Sequence, residues 1–558
     1  MSNRFKIACL LLLFCNLVAK TRAQQEIRSA KKIESLLCKT NLEVVDACIK
    51  LVIRDTVSDR DFGGFSAVIV TSDGTILTAA HSVEPNHRYR VEFPNGQKGV
   101  AVALGKIALS DEKQQFDLAM LKMEGKGPWP FVTMADSRNL VVGEGCLAIS
   151  YPGSFFQTKP NLRFGRITKL DAGDGFLQST CKMEPGDSGG GLFDLQGKLI
   201  GIRDKVQLSE NENFDIPVNQ FRRYWSALQK TINYRRLPIA DTLTPVPANK
   251  RFTVAPPAHF SQLRLKFPDQ VITVHSTKGN AQQQILATAI NLDQKGRPSV
   301  LWLSKSSMLG EQPWMMYNGV KMQLNVISRD PENDLVLLSP ADGVNNFKGI
   351  KTGKVKYKPI ITNNLGKFLY SQVDPEGCKL GIVSTGEIQL PLLFSRAQLG
   401  ALVFEEAGKI MVKDIALNYP ADQVLKIGDQ IISINGKEVP NEKVYQQEMN
   451  RLLMGDHLTL GVIRNHKTST VDLDFKERTT RDITLNYKGK RSLRSDGFQK
   501  VFVQDAAIRS DECGGAVFDG DGNFMGINIA RHSRTATIIL PLDVIKKSIA
   551  KMLDSTKS

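Results

Sequence analysis

Met183-Glu-Pro-Gly-Asp-Ser-Gly-Gly190 is the stretch from which the rest of the chain is read. It sets a serine between Gly-Asp and Gly-Gly on what must be a tight loop. A hydroxyl is a weak nucleophile at neutral pH and needs a neighbouring base. It also needs backbone N–H groups aimed at the oxyanion that develops when it attacks a carbonyl. Glycines let the backbone take the shape that turns those groups inward. Gly-rich turns are common, so Gly186 to Gly190 require a histidine and an aspartate in suitable settings.

Both are present upstream. Thr75-Ile-Leu-Thr-Ala-Ala-His81 is an apolar strand ending at a histidine, and Phe116-Asp117-Leu-Ala-Met-Leu121 places an aspartate at the head of another apolar run. Taken singly, the three residues also suit a buried histidine, a turn aspartate and a glycine loop. The order His81, Asp117, Ser188 is that of chymotrypsin and differs from that of subtilisin and of the α/β-hydrolases.

The 558 residues suffice for three or four domains, and 42% are apolar, enough for buried cores. Net charge is +16, which suits an anionic surface or nucleic acid. No aromatic-studded basic motif or zinc-finger spacing accompanies it. The run Lys348 to Lys358 reads as a solvated face, so nucleic acid is not expected as a partner. Residues 1–23 read as a secretory signal: Arg4 and Lys6 precede a short apolar core, Ile7 to Ala19, and Thr21-Arg-Ala23 is an acceptable cleavage site. The alternative is an uncleaved anchor. Export to the periplasm or the extracellular space is therefore expected. It would permit disulfides among Cys38, Cys48, Cys146, Cys181, Cys378 and Cys513. Cys38–Cys48 and Cys146–Cys181 suit pairing, with connectivity left open. No ligand cluster suggests a metal, and no cofactor is expected.

Residues 24–43 read as a helical segment, with helical spacing from Gln25 to Cys38. From Val44 short strands separated by turns dominate, which argues for closed antiparallel barrels. A helix around Asn219 to Leu228 would end this unit at 235, before a Pro-rich linker at 236–262.

Residues 44–235 resemble the protease domain of the HtrA/DegP group of trypsin-like serine proteases. The resemblance rests on Gly63 to Val70, Thr75 to His81, Phe116 to Lys122, Phe176 to Gly190 and Gly197 to Ile202. It implies that Ser188 attacks, His81 serves as base and then acid, Asp117 orients His81, and the N–H groups of Gly186 and Ser188 form the oxyanion hole. It also implies unfolded or misfolded envelope proteins as substrates and association into homo-oligomers. Asp187 stands where this group usually carries Asn. In digestive trypsins that aspartate pairs with a new N-terminus, but no matching activation site is evident here. Lys182 reads as a surface lysine or as a residue reaching the specificity pocket.

The C-terminal half repeats the plan. Val300 to Ser307 matches the His81 strand with Ser307 in the histidine's place. Asn333-Asp334-Leu-Val-Leu-Leu338 matches the Asp117 strand, and Ser510 to Phe518 matches the nucleophile loop with Cys513 in the serine's place. A serine cannot act as base at neutral pH, and a thiol attacks only as thiolate. This copy, 263–391 and 477–555, therefore reads as a degenerate trypsin-like domain. The alternatives are a cysteine hydrolase using the relocated His532 and a purely structural Cys513. Asp117 and Ser188 are 71 residues apart and Asp334 and Cys513 are 179 apart; the extra 108 residues leave room for an inserted domain.

The insert, 392–476, resembles a PDZ domain on Gln398 to Leu402, Tyr419-Pro-Ala421, Ile427 to Gly436 and a helix from Glu442 to Leu453. Val424-Leu425 departs from the usual Gly-Leu before the Gly-Asp turn. PDZ domains add an extended C-terminal peptide to a sheet edge. The resemblance implies a carboxylate held by the N–H groups of Leu399, Gly400 and Ala401, with Leu402 and the Val444 to Arg451 helix face lining the groove. The expected fold is mainly β: tandem trypsin-like double barrels plus a small α/β PDZ domain. Two functions stay open, an exported serine endopeptidase and a chaperone or adaptor that binds exposed chains.

Overall fold

The computed structural model describes residues 29–555 apart from several breaks, the longest at 254–269 and 476–486. The expected signal at 1–23 lies outside the described residues. Among those residues no helix is long and apolar enough to cross a membrane.

Four β-barrel units account for most of the chain. The first holds Cys48–Arg54, Asp61–Ile69, Thr75–Ala79, Arg88–Glu92, Lys98–Ser110 and Gln115–Met123, with Lys98–Ser110 pairing Gln115–Met123 to join the ends of the sheet. The second is closed by six strands, Gly145–Ser150 through Asn213–Pro217. Antiparallel closure removes free edges, which suits short strands with turn residues between them. Two short helices, Val218–Arg223 and Trp225–Leu228, follow where a single helix was expected.

The third and fourth barrel units repeat this order. The third runs from Val271–Lys278 to Leu335–Pro340. The fourth is closed by Phe368–Gln372, Cys378–Leu390, Phe498–Gln504, Ala516–Asp519, Phe524–Arg531 and Thr537–Pro541. Cys378–Leu390 pairs with Phe498–Gln504 across the inserted segment. At the base of the insertion the Asp496 carboxylate accepts N–H bonds from Leu393, Phe394 and Ser395 at 2.7–3.0 Å. Between these ends lies a separate sheet of strands from Ala401–Glu406 to Lys467–Asp474, with Ala401–Glu406 at its edge. Its helix, Glu442–Met449, is capped by the Asn441 side chain, which accepts from the Val444 N–H at 2.9 Å. The helix ends at Met449, short of the expected Leu453, and beyond it the Leu452 carbonyl accepts from the Ala397 N–H.

Among the described residues the leading helix covers 29–44 and runs past the expected end at Cys38. It straddles the two halves of the chain. Thr40 donates to the Leu195 carbonyl at 2.9 Å, and Glu34 accepts from the Phe368 N–H at 2.8 Å.

The expected disulfides are absent: all six described cysteines are free thiols. The sulfurs of Cys146 and Cys181 lie 3.7 Å apart in the second barrel core without a bond, and Cys48 donates to the Val44 carbonyl. Each barrel closes around a buried apolar core, so no cross-link is needed to hold the strands.

Candidate active site

Strand Thr75–Ala79 pairs with Gln115–Met123 in a register that sets Ala79 opposite Leu118. His81 follows two residues later, on a short 3-10 turn, and so meets Asp117. The His81 N–H donates to Asp117 Oδ1 at 2.8 Å, and Nδ1 lies 2.5 Å from Oδ2. The carboxylate thus grips the histidine at backbone and ring together, which sets the ring's orientation.

Ser188 reaches the same spot from the second barrel. Its carbonyl accepts from the Ser66 N–H at 3.0 Å, docking the loop on the first barrel. Gly189 takes φ +87°, and a Cβ there would lie 1.9 Å from the Ser66 carbonyl oxygen, so only glycine allows this approach. Gly186 takes φ +94°. Among the described residues the N–H groups of Gly186 and Ser188 donate to no protein atom.

A residue not singled out from the sequence joins the three. Asp204 is the extra residue where the register of Leu199–Val206 slips against Asn213–Pro217. Such bulges re-aim a side chain. Its carbonyl accepts from the Ser188 hydroxyl at 2.9 Å, and its Oδ1 lies 3.8 Å from His81 Nδ1. Ligating atoms of His81, Asp117 and Asp204 lie within 4.8 Å of one another, the only group of metal-ligating composition among the described residues. Hydrogen bonding within the group accounts for the spacing.

Burial, and then the hydrogen-bonded Asp117 beside it, push the Asp204 carboxyl up to about 9. Burial opposes ionisation of Asp117 too, but hydrogen bonds from His81 and Asp204 outweigh it and hold Asp117 below its ordinary value. The carboxyl pair therefore keeps one proton at neutral pH. In the unfolded chain Asp204 ionises near its ordinary value of about 3.9. Between about pH 4 and pH 9 the unfolded state then holds fewer protons, so stability falls as pH rises. Asp204→Asn keeps a donor for Asp117 and removes this penalty. Its stability advantage over the wild type is expected to grow from pH 5 to pH 8, by up to about 4 kcal/mol for one proton over three pH units. Thermal unfolding at the two pH values checks this, and a pH-independent difference would sink it.

Asp187 finds a partner that the sequence left unnamed. Arg163 Nη1 lies 2.8 Å from its Oδ2, with both side chains almost fully buried. Ser150 donates to Asp187 Oδ1 at 2.8 Å, and the Glu184 N–H donates to Oδ2 at 2.8 Å. Lys182 is no simple surface lysine. It lies partly buried on the wall of a cavity of about 600 Å³ between the second and fourth barrels, alongside Arg166, Asp505 and Arg509. Burial lowers the pKa of its ammonium. His81, Asp117 and Ser188 do not line this cavity.

The second copy reproduces the frame but not the groups. The Leu286 N–H donates to the Cys513 carbonyl as Ser66 does to Ser188, and Gly514 donates to Asn528 as Gly189 does to Arg203. The Ser307 N–H donates to Asp334 Oδ1 at 2.7 Å, as His81 does to Asp117. The Ser307 hydroxyl donates to Asp334 Oδ2 at 2.9 Å. Lys305, at the position equivalent to Ala79, sets its ammonium 2.5 Å from Asp334 Oδ2, fully buried. Ile529 stands at the bulge where the first copy has Asp204. Burial pushes the Cys513 thiol up to about 11. Both ring nitrogens of His532 face carbonyl oxygens, of Ser495 and Ser154, at 2.9 and 3.0 Å.

In the inserted domain Leu399 is buried and Leu402 half exposed on the edge strand. Gly400 takes φ +75° against Tyr419. Among the described residues the N–H groups of Leu399 and Gly400 donate to no protein atom, while Ala401 begins the strand paired with Lys409–Ile415.

Comparison with known proteins finds two matching domains. A trypsin-like peptidase domain model matches residues 65–202, and a PDZ domain model matches residues 397–475. Serine protease HTRA1 of Xenopus tropicalis is 33% identical over 166 residues, 28% of this chain and 35% of that protein. A probable periplasmic serine endoprotease, DegP-like, of Pseudomonas putida (strain GB-1) is 35% identical over 144 residues, 25% of this chain and 29% of that protein. The chain resembles the HtrA/DegP serine proteases. It spans about a third of the length of these relatives, and the third and fourth barrels lie outside both matched models. A solved serine endoprotease from Yersinia pestis aligns with 79% of this chain and 98% of its own at 15% identity and a TM-score of 0.30. The chain thus carries a trypsin-like peptidase domain and a PDZ domain, as the HtrA-like proteases it resembles do.

Proposed function

We propose that the chain is an exported serine endopeptidase that cleaves unfolded polypeptides in the cell envelope through an acyl-enzyme. The observation that carries this is the meeting of His81, Asp117 and Ser188 around Asp204, next to two unengaged N–H groups. His81 takes the Ser188 proton as the hydroxyl attacks the scissile carbonyl, once that hydroxyl turns from the Asp204 carbonyl toward the ring. The oxygen of the tetrahedral intermediate accepts from the Gly186 and Ser188 N–H groups. His81 then gives its proton to the leaving amine, and water releases the acyl group by the reverse steps. Export and an envelope substrate rest on the signal-like start and on relatives named as periplasmic proteases.

The third and fourth barrels contribute no reacting group in this reading. Cys513 lacks a base, since Lys305 and Ser307 hold Asp334 and the nitrogens of His532 are engaged elsewhere. The PDZ domain takes peptide C-termini at its free edge strand. Gly400→Ala would place a Cβ 2.0 Å from that of Tyr419 in a left-handed backbone. It is expected to weaken binding of a labelled peptide with a free apolar C-terminus about tenfold, because strain of 1–2 kcal/mol falls on the carboxylate loop. Fluorescence anisotropy reads this, with the amidated peptide as control; equal affinity in the variant would reject the loop.

A second reading, a chaperone or adaptor without turnover, is favoured by one feature: the Ser188 hydroxyl points its proton at Asp204 and not at His81. A fluorophosphonate probe separates the two. The protease is expected to be labelled at Ser188 and to degrade unfolded casein; an unlabelled, inert chain that still holds casein in solution would favour the binding protein.

A further inference from the structure

The fourth barrel meets the front domain across a buried interface, where Ser384 donates to the Leu162 carbonyl and the Phe164 N–H donates to Asp505, and one turn of it reaches the nucleophile loop. Strands Phe524–Arg531 and Thr537–Pro541 are joined by a turn in which His532, Ser533, Arg534, Thr535 and Ala536 are all almost fully buried. A hairpin tip is ordinarily solvated. This one is covered by the front domain. Phe155 of the front domain packs into the core of the fourth barrel, its ring 4.6 Å from that of His532. Arg534 donates to the Ser209 carbonyl, and Arg531 lies 3.3 Å from Glu210.

Thr535 sits where this turn meets the nucleophile loop. Arg163 Nη2 donates to its hydroxyl oxygen at 3.1 Å, and that hydroxyl donates to Glu184 Oε2 at 2.9 Å. The Glu184 N–H donates to Asp187 Oδ2, and Asp187 is paired with Arg163 Nη1. The four residues form a closed ring of buried hydrogen bonds. Two of its members, Glu184 and Asp187, belong to the loop that shapes Gly186 and Ser188. One member, Thr535, comes from the other half of the chain.

The degenerate copy shows what such a pair does without outside help. By strand register Lys379 stands where Arg163 stands, and Glu512 where Asp187 stands. Lys379 contacts Glu512 at 2.6 Å and gives its remaining bond to the Ala507 carbonyl of its own barrel. That pair is closed within one domain. Only Arg163, with its planar fork of donors, can hold Asp187 and reach across to Thr535 at once.

We propose that Arg163 and Thr535 are positioning residues for the Ser188 loop, so that the degenerate domain is a built-in activator of the front active site. The proposal rests on the serine-protease reading above. Asp187 immediately precedes the nucleophile, and its carboxylate can stay in the barrel only while Arg163 compensates it. Thr535 fixes the guanidinium's second edge and holds Glu184, which spares the oxyanion loop a choice among conformations. A loop already in its reactive shape raises turnover rather than substrate affinity.

The test uses the full chain and kinetics per active site, titrated with a fluorophosphonate. Thr535→Val keeps the shape and removes the hydroxyl. It is expected to lower kcat and the labelling rate about tenfold, the scale of one hydrogen bond to a charged group, with KM unchanged. Thr535→Ser should restore both. Arg163→Met is expected to reduce kcat further, and Arg163→Met with Asp187→Asn should recover much of it, since a neutral amide needs no cation. A purely structural ring would change the melting temperature and the fraction of active sites but not kcat per site. If Arg163→Met does not fold, the Thr535 pair of variants decides alone. A kcat for Thr535→Val within twofold of wild type, or no rescue by Thr535→Ser, overturns the proposal. A wild-type chain that neither labels nor hydrolyses overturns the protease reading and this inference with it; an active wild type indifferent to Thr535→Val overturns this inference alone.

Discussion

Ser188→Ala is expected to reduce kcat/KM on unfolded casein by roughly a millionfold, because nucleophile and base act as one unit and removing either forfeits nearly the whole chemical step. The fold should survive. Ser188 makes one side-chain hydrogen bond, to a carbonyl of the neighbouring strand, and alanine fits the same loop. The measurement is casein turnover by the two chains at matched melting temperature. His81→Ala should lose activity to the same order, and the double variant should lose no more than either single one. Asp117→Asn should lose about ten-thousandfold by presenting the wrong ring tautomer.

Cys513→Ala gives the contrast. The thiol is buried, sits 3.9 Å from the Ser492 hydroxyl and is held protonated by burial. Casein turnover is expected to stay at the wild-type level. Activity that survives Ser188→Ala and disappears with Cys513→Ala would transfer the chemistry to the second half and refute the assignment of both sites.

What the sequence discloses about this site follows from how local each constraint is. His81 and Ser188 announce themselves because each lies on a turn beside an apolar run, and Asp117 because it is a lone charge near the head of an apolar strand. The second half is recognisable for the same reason: the strand endings and glycines recur, and those features build the same backbone contacts. Leu286 meets Cys513, and Gly514 approaches the Leu286 carbonyl so closely that a Cβ would lie 1.9 Å away. Asp204 is hidden because its place depends on a bulge, which shifts a side chain to the other face without any mark in composition. Arg163 is hidden because its partner, Asp187, lies on a loop beyond further strands of the barrel. The one available signal was a charged residue at a position facing the barrel interior, between Leu162 and Phe164. The cysteines misled for the opposite reason: Cys146 and Cys181 come close in space, but as two small apolar side chains in a packed core.

Lys305→Met is expected to destabilise the second half by about 3–5 kcal/mol, the usual penalty for removing one member of a buried ion pair. The argument starts from Asp334. Its carboxylate is kept from water and accepts from the Ser307 N–H and hydroxyl, just as Asp117 accepts from the His81 backbone. In the first copy the ring of His81 and the proton of Asp204 offset that buried charge. In the second copy the histidine is Ser307 and the aspartate is Ile529, so neither is available. Lys305 replaces them from the position of Ala79, with its ammonium 2.5 Å from Asp334 and 2.8 Å from the Arg494 carbonyl. Methionine fills a similar volume, so the loss should come from charge and not from a cavity. Lys305→Met combined with Asp334→Asn removes both charges while Asn still accepts from Ser307, and it should regain most of the stability. Denaturant unfolding of the three chains checks this. A single variant as destabilised as the double, or neither destabilised, would mean that the lysine merely fills space. Recovery in the double would mean that the second copy gave up its base and kept its aspartate only by acquiring a permanent cation, which leaves no group free to deprotonate Cys513.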